Sequence, residues 1–163
     1  MSDIVVRDLR PEDVEAAVDI AVAAWAPIFG QFRRILGDEL FAARCPRWQE
    51  DKAGQVRRAC APGSKASVCV AEREGRVVGF ITYYLDVPRG IGEIGNNAVH
   101  PDFQGQGIAS RMYQCVLDRF RAQGMRFAKV CTGLDPSHAP ARRAYEKAGF
   151  SIQLPSVEYY RKL

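Results

Sequence analysis

The stretch VHPDFQGQGIAS, residues 99–110, carries the most specific signal in this chain. It follows a β-branched run and leads into a pattern of helical period, so it joins the end of a strand to the start of a helix. The first N–H groups of a helix lack partners within the helix and carry partial positive charge. Gly105 and Gly107 would let a large anion approach the backbone without meeting a Cβ atom. The sequence therefore predicts a diphosphate site at this junction.

Two familiar nucleotide motifs fit this junction poorly. A Walker A loop requires a lysine that the residues after Gly105 do not supply, so nucleotide hydrolysis of that type is excluded. The dinucleotide fingerprint GxGxxG would have to start at Gly105, but Ser110 stands at its third glycine. The turn that holds Pro101, Asp102 and Phe103 is also too long for that motif. A dinucleotide-dependent oxidoreductase is therefore the weaker alternative.

The chain before this junction alternates between the periods of strands and helices. Apolar and β-branched runs predict strands over residues 4–9, 66–72, 76–85 and 91–99. A first helix is expected to end at Pro27 and Gly30, and one or two helices follow within residues 32–58. Gly92 and Gly95 inside the fourth strand indicate a bulge or a close approach by a ligand.

The chain after the junction begins with a helix that Gly124 is expected to end. Three further strands are predicted, over residues 126–132, 150–154 and 157–160. The first of these is apolar enough for the centre of a sheet. Between it and the last two lies a helix with Ser137 as a plausible N-cap and Gly149 just after its end. The order βα(α)βββαβαββ predicts an α/β domain with a mixed sheet.

Length and composition indicate one globular domain over residues 1–163, since 47% of the residues are hydrophobic and 26% are charged. The net charge of +4 favours an anionic ligand weakly and does not suggest a nucleic-acid surface. No apolar run approaches the roughly 20 residues that cross a bilayer, and no targeting segment is visible. The five cysteines form no CxxC pair, which favours reduced thiols. We therefore expect a cytoplasmic protein without nucleic-acid or membrane partners.

Three motifs in register resemble one known family. The sequence QGQGIA, residues 104–109, matches the acyl-CoA motif Q/R-x-x-G-x-G/A of the GNAT (Gcn5-related N-acetyltransferase) superfamily. AVHP, residues 98–101, resembles the end of that family's fourth strand, and ARRAYEKAGF, residues 141–150, resembles its late helix. The resemblance implies a single α/β domain with a mixed, mostly antiparallel sheet whose central strands splay apart between flanking helices. It also implies acetyl-CoA as cosubstrate.

The resemblance assigns coenzyme-binding roles to two segments. The backbone N–H groups of the motif loop would hold the coenzyme diphosphate, a role that falls on Gln104, Gly105, Gln106, Gly107, Ile108 and Ala109. The fourth strand would pair with the pantetheine arm and polarise the thioester carbonyl, which places the acyl group at Asn97, Ala98 and Val99. A donor aimed at a developing oxyanion can supply a few kcal/mol.

Two candidate catalytic residues follow from the same resemblance, each with a structural alternative. Tyr145 matches the tyrosine that often protonates the departing thiolate, or it packs its helix on the sheet. Glu93 stands on the strand where the family often places a glutamate that deprotonates the amine, or it is an exposed edge carboxylate. Whether Glu93 and Val99 point to the same face of the strand or to opposite faces depends on whether a bulge at Gly95 interrupts the strand alternation.

His138 departs from the family pattern, which frequently has an asparagine that contacts the coenzyme arm at this position. Either a ring nitrogen of His138 replaces that contact, or His138 is a solvated residue at a helix start. Arg111 and Arg142 are further candidates to reach a coenzyme phosphate.

We therefore expect an acetyl-CoA-dependent N-acetyltransferase in which a primary amine attacks the thioester directly, without a metal. The alternative is a non-catalytic module of the same fold that senses acyl-CoA. The acceptor would be a small-molecule or peptide amine, which this family recognises mainly by residues corresponding to 25–64. The aromatic side chains and carboxylates there would suit a small cationic amine, but the same residues are favoured as a helix core with a charged outer face. Family members are often monomers or homodimers, and we expect one of these states.

Overall fold

A five-stranded mixed sheet forms the centre of the protein in the computed structural model, which describes residues 3–163. The strands lie in sequence order and are β1 (Ile4–Asp8), β2 (Ser67–Arg73), β3 (Arg76–Asp86), β4 (Ile91–Val99) and β5 (Phe127–Val130). The first four pair in antiparallel fashion, whereas β5 runs parallel to β4. The predicted α/β class with a mixed, mostly antiparallel sheet flanked by helices is confirmed.

Two pairs of helices cover the two faces of the sheet. The helices are α1 (Val14–Arg44), α2 (Trp48–Cys60), α3 (Ile108–Ala122) and α4 (Ala139–Lys147). On one face Val18 of α1 and Val56 of α2 pack on Phe80 of β3. On the other face the apolar side of α3 and Tyr145 of α4 pack on Ile81 and its neighbours. Both faces are therefore buried, as the near-continuous apolar run of β3 requires. Within residues 3–163 no helix has both the length and the apolar character needed to cross a membrane.

The first helix is longer than the sequence pattern predicts. The prediction that Pro27 and Gly30 end it is wrong, because the helix continues through both residues, and the two helical parts of α1, residues 14–36 and 38–44, meet at a kink. Proline removes one helical hydrogen bond, but packing of α1 on α2 offsets this cost. The ring of Phe29 stacks on Trp48 with the ring centroids 4.4 Å apart. The helical backbone is interrupted instead at Gly37, whose φ of 76° few other residues tolerate.

The two strands predicted over residues 150–154 and 157–160 are not formed. Residues 151–163 contain no regular secondary structure, so β5 is an edge strand and not the central strand that its composition suggested. Pro155 has no N–H to donate to a ladder. Charged side chains hold the segment to α1 instead, since Arg44 contacts Glu158 at 3.0 Å and Lys162 contacts Glu39 at 2.8 Å.

The ends of the later helices follow the predicted glycines. Gly124 and Gly149 adopt φ values of 71° and 98° directly after α3 and α4, as glycines beyond a helix end commonly do. Ser137 is not the N-cap of α4. The carboxylate of Asp135 accepts a hydrogen bond from the Ser137 N–H at 3.0 Å and caps the short 3₁₀ turn that leads into α4. An aspartate is as good a cap as serine, and sequence alone does not separate them.

Candidate active site

A bulge in β4 separates the strand into two halves. Ile94 pairs with Tyr83 and Asn97 pairs with Ile81, so that Gly95 and Asn96 together face the single residue Thr82. A Cβ atom on Gly95 would lie 2.6 Å from the Thr82 hydroxyl oxygen, so this position requires glycine. The bulge predicted from the strand glycines is present.

The bulge coincides with the point where β4 and β5 part. Their pairing runs from Ile91 with Phe127 to Ile94 with Val130 and then ends, although β4 continues to Val99. Backbone groups on that edge of residues 95–99 therefore have no ladder partner on the β5 side among residues 3–163. This opening confirms the splayed strands that the sequence led us to expect, and it leaves a strand edge that an extended ligand can pair with.

The residues after β4 form an open loop at the start of α3. Gly105 and Gly107 have φ values of 75° and 79°, and a Cβ at either position would meet no heavy atom within 4 Å. The left-handed backbone, and not crowding by the protein, requires glycine here. No side chain caps α3, and its first turn contains no acidic residue. The N-terminal amides of this 15-residue helix are therefore open to an anion.

The two arginines that the sequence suggested for a coenzyme phosphate are engaged elsewhere, and a different arginine contacts this loop. Arg111 donates to the Ile4 carbonyl at 3.1 Å, and Arg142 donates to the Gly133 carbonyl at 2.6 Å. Arg73 instead contacts the side-chain oxygen of Gln106 in the loop. Its place in a β-hairpin, 33 residues before Gln106, gave no sequence signal for this proximity.

Asn97 joins two buried tyrosines on the α3 and α4 side of the sheet. Tyr113 donates to Oδ1 of Asn97 at 2.9 Å, which orients the side-chain amide. Nδ2 of Asn97 then donates to the Tyr145 oxygen at 3.1 Å. The hydroxyl proton of Tyr145 remains available, because its own contact to Oδ1 is a long 3.5 Å. Burial raises the pKa of Tyr145, while the hydrogen bonds with Asn97 and Tyr113 act against this rise.

His138 has a partner that the sequence did not reveal. Its Nδ1 lies 2.5 Å from Oδ2 of Asp135, and only 15% of its side chain is exposed. Its ring also lies 6.0 Å from the ring of Phe32 in α1, centroid to centroid. Of the two alternatives, the freely solvated helix-start residue is disfavoured by this burial. A cofactor contact through the other ring nitrogen, Nε2, stays a prediction.

Glu93 lies on the opposite face of β4 from Val99. Ile94 and Val99 both belong to the core beside α3, so Glu93, adjacent to Ile94, points to the other side. Its carboxylate contacts Lys129 of β5 at 3.1 Å and is 44% exposed. The side chain is accessible to water and to a bound molecule, and its role as a base stays a prediction.

Comparison with known proteins identifies the family of this arrangement. Residues 30–150 match the Acetyltransferase (GNAT) family. The chain belongs to the GNAT acetyltransferase family.

Two curated relatives, both named mycothiol acetyltransferase, match this GNAT domain. The protein from Thermomonospora curvata is 35% identical over 58% of this chain and 31% of its own length. The protein from Streptomyces avermitilis is 30% identical over 58% and 30%. The chain thus spans about a third of the length of these relatives.

Solved GNAT structures share the fold at low sequence identity. The PaiA N-acetyltransferase from Thermoplasma acidophilum, solved in complex with coenzyme A, superimposes with a TM-score of 0.70 at 16% identity, covering 93% of this chain and 91% of its own. The ribosomal-protein-S18-alanine N-acetyltransferase from Escherichia coli has a TM-score of 0.66 at 18% identity, covering 93% and 80%. These similarities show the fold of the GNAT domain.

Two site residues of this GNAT domain escaped the sequence patterns. Tyr113 lies among apolar α3 residues of helical period and reads as one more core position. Lys52 lies in a charged segment that reads as a solvated helix face, but only 8% of it is exposed. Its Nζ donates to Asn96 at 3.1 Å and lies 4.3 Å from the centre of the Trp25 ring. Burial lowers the pKa of Lys52 to about 8.

Proposed function

We propose that the protein is an acetyl-CoA-dependent N-acetyltransferase in which a bound primary amine attacks the thioester directly. One geometric observation carries the proposal. The uncapped N-terminus of α3 lies directly after a strand edge without a β5 partner, and Asn97 on that strand holds Tyr145. An edge for an extended arm and a diphosphate site therefore follow one another along residues 97–109, and Asn97 joins this edge to the proposed proton donor, Tyr145 of α4.

The residues present fit coenzyme A. The open space at Gly105 and Gly107 admits a diphosphate to the amides of the loop. We assign this role to Gln104, Gly105, Gln106, Gly107, Ile108 and Ala109. Asn97, Ala98 and Val99 offer backbone groups along the free edge of β4, where an N–H can stabilise a developing oxyanion. Bound acetyl-CoA would supply the activated acyl group, and nothing further is required of a cofactor.

Tyr145 is the proposed acid that protonates the departing thiolate. A phenol with a raised pKa keeps its proton at neutral pH. Because Asn97 donates to the Tyr145 oxygen and that hydroxyl makes only a long 3.5 Å contact to Oδ1, the hydroxyl proton can be given to a bound thiolate. Positioning matters more here than driving force, since a thiol has a reference pKa near ~8.5.

Glu93 is the proposed base for the acceptor amine. An alkylammonium has a reference pKa near ~10.4 and must lose a proton before it attacks. Glu93 lies on the sheet face next to α2, the same face to which Asn96 points. This places the carboxylate on the side of the bulge where the acceptor would enter. A water molecule can connect the carboxylate to the acceptor amine.

Two measurements test the proposal together. Calorimetry should detect coenzyme A binding, and an amine panel should release free thiol from acetyl-CoA. Gly105→Ala should weaken coenzyme binding at least about tenfold, because its Cβ would occupy the space opened to the diphosphate.

The matched control is Gly124→Ala, where a φ of 71° imposes the same backbone strain in a turn remote from the loop. It should lower stability similarly and leave coenzyme binding unchanged. Equal weakening by both variants, or binding without thiol release from any amine, would contradict the proposed reaction. The second result would favour an acyl-CoA sensor.

A further inference from the structure

A pocket lies between α2 and the strands β3 and β4, on the face opposite Tyr145. Its volume is about 280 Å³, and it is lined by Gln55, Arg58, Ala59, Ser64, Tyr84 and Asn96. None of these residues is an aspartate or a glutamate, and Arg58 has no ion-pair partner among residues 3–163. A small pocket with a free guanidinium and no carboxylate favours an anionic group.

Lys52 fixes the orientation of two amides at this pocket. Its ammonium group donates to Oε1 of Gln55 at 3.0 Å and to Oδ1 of Asn96 at 3.1 Å. Lysine only donates, so both amide oxygens must turn towards it. The amide nitrogens, on the other branch of each planar group, are left without a hydrogen bond among residues 3–163. They are available as donors to whatever the pocket binds.

The remaining polar groups add to this set of donors. The Ser64 oxygen accepts from the Ala66 N–H at 3.1 Å, which leaves its hydroxyl proton free. Tyr84 is 38% exposed and also lines a second pocket that contains Glu93. The first pocket therefore presents donors and a positive charge without a carboxylate, whereas the adjoining one contains Glu93 in an ion pair with Lys129.

The donor-lined pocket is close to the reaction site. Asn96 lines the pocket and directly precedes Asn97, whose backbone belongs to the open edge of β4 proposed for the acyl group, and consecutive Cα atoms are about 3.8 Å apart. A molecule with its anionic end at Arg58 and Asn96 would need only a few bonds to bring an amine to the cleft, on the same sheet face as Glu93.

We infer that the acceptor is a primary amine that carries a carboxylate group a few bonds from its nitrogen, as in a free amino acid. This inference rests on the proposed N-acetyltransferase function and names its substrate class. Arg58 binds the carboxylate together with the amide nitrogens of Gln55 and Asn96. Lys52 is a positioning residue, since it acts by orienting those two amides.

The turnover experiment compares amino acids with the amino alcohols obtained when the carboxylate is replaced by a CH₂OH group. The two have amines of similar basicity, so that a difference reports on the carboxylate. Amino acids should be the better acceptors by about tenfold or more, mainly through KM. Arg58→Gln should reduce this preference about 10- to 100-fold by raising KM for amino acids much more than KM for amino alcohols, as expected for a lost charged hydrogen bond.

Arg57→Gln is the matched control, because Arg57 is the neighbouring residue in α2 and pairs with Glu15 away from the pocket. It should leave the preference intact. Lys52→Met should raise KM for amino acids more than KM for the matching amino alcohols, a difference that loss of helix packing alone would not produce.

A binding experiment tests the pocket without turnover. An N-acetyl amino acid carries the carboxylate and no reactive amine, and it should bind the wild-type protein about tenfold more tightly than it binds Arg58→Gln. If amino alcohols are acetylated as well as amino acids, or the N-acetyl amino acid does not bind, the substrate class is wrong although acetyl transfer stands. If no amine releases thiol but the N-acetyl amino acid binds in an Arg58-dependent manner, the pocket stands and the proposed reaction fails.

Discussion

Asn96 and Asn97 are consecutive residues of β4, but they belong to opposite faces of the sheet and hold opposite kinds of groups. Asn97 connects two buried tyrosines that carry no charge. Asn96 accepts from a buried lysine, which forms no ion pair with a carboxylate among residues 3–163. Two adjacent amides at the bulge thus serve a proton-donating face and an anion-attracting face. A regular strand also alternates its faces, but here the bulge sets Gly95 and Asn96 together opposite Thr82, at the point where the pairing of β4 with β5 has ended.

The largest effect on activity is expected on the α3 and α4 side of the sheet, which carries Tyr113 and Tyr145. Tyr145→Phe removes the proposed proton donor, and kcat should fall about 10²- to 10⁴-fold, the usual contribution of a general acid. Affinity for coenzyme A, measured by calorimetry, should not change.

Tyr113→Phe is the matched control for this substitution, because it removes the other hydroxyl group from the same amide. Tyr145→Phe leaves Nδ2 of Asn97 with its hydrogen bond to the Gly95 carbonyl, and Tyr113→Phe removes the short hydrogen bond to Oδ1. Each variant should lower the free energy of unfolding by about 1–2 kcal/mol. A comparable loss of kcat in both would mean that Tyr145 acts by packing and not as an acid.

The bulge itself links the two faces and should show the next largest effect. Gly95→Val places side-chain atoms where a Cβ alone would lie 2.6 Å from the Thr82 hydroxyl and 2.9 Å from the Tyr84 ring. Overpacking should lower the free energy of unfolding by about 1–3 kcal/mol. A displacement of about 1 Å at the site should reduce kcat/KM about 100-fold.

Gly30→Ala provides the comparison for this variant, since a Cβ at that helical position meets nothing within 4 Å. Its thermal unfolding should be unchanged or shifted upwards, because alanine is the better helix former. Retention of full activity by Gly95→Val would show that the two faces do not depend on the bulge.

The sequence predicted this part of the molecule unevenly, for physical reasons. Gly92 and Gly95 are costly in a strand, so they indicated an irregular β4, and Gly105 with Gly107 indicated the loop. Lys52 gave no such signal, because a lysine becomes buried only through tertiary contacts with Trp25 and Asn96. Strand predictions also failed at residues 151–163, where apolar alternation exists but side-chain contacts to α1 replace pairing with β5.

On the opposite side of the sheet, buried Lys52 should change how the free energy of unfolding depends on pH. Burial lowers the pKa of Lys52 from 10.5 to about 8. Between these two values the unfolded chain binds more protons than the folded one, so that this residue makes stability rise with pH. Below about pH 8 the buried charge costs its full amount. We therefore compare the free energy of unfolding of Lys52→Met with that of wild type. The difference should favour the variant by up to about 3 kcal/mol more at pH 7 than at pH 10.5.

Comparison with the variant isolates Lys52 from other titrating groups. Burial raises the pKa values of the Cys60 and Cys69 thiols, which makes stability fall above about pH 9 in both proteins. Denaturant unfolding of both proteins at pH 7, 8.5 and 10 measures the difference directly. A constant difference across this range would mean that Lys52 is not desolvated in the folded protein.

The smallest effect on activity is expected at Glu93, the exposed carboxylate on the side where the acceptor would enter. Glu93→Gln removes the proposed base, but Glu93 is 44% exposed and water can take over part of the proton transfer. We therefore expect kcat/KM to fall only about tenfold at neutral pH. The loss should shrink as the pH approaches the pKa of the amine, because a deprotonated acceptor needs no base. Lys129→Gln breaks the same ion pair and leaves the carboxylate in place, so it should retain most of the activity. An equal loss in both variants, independent of pH, would assign the effect to the ion pair between β4 and β5, with the proton leaving through water alone.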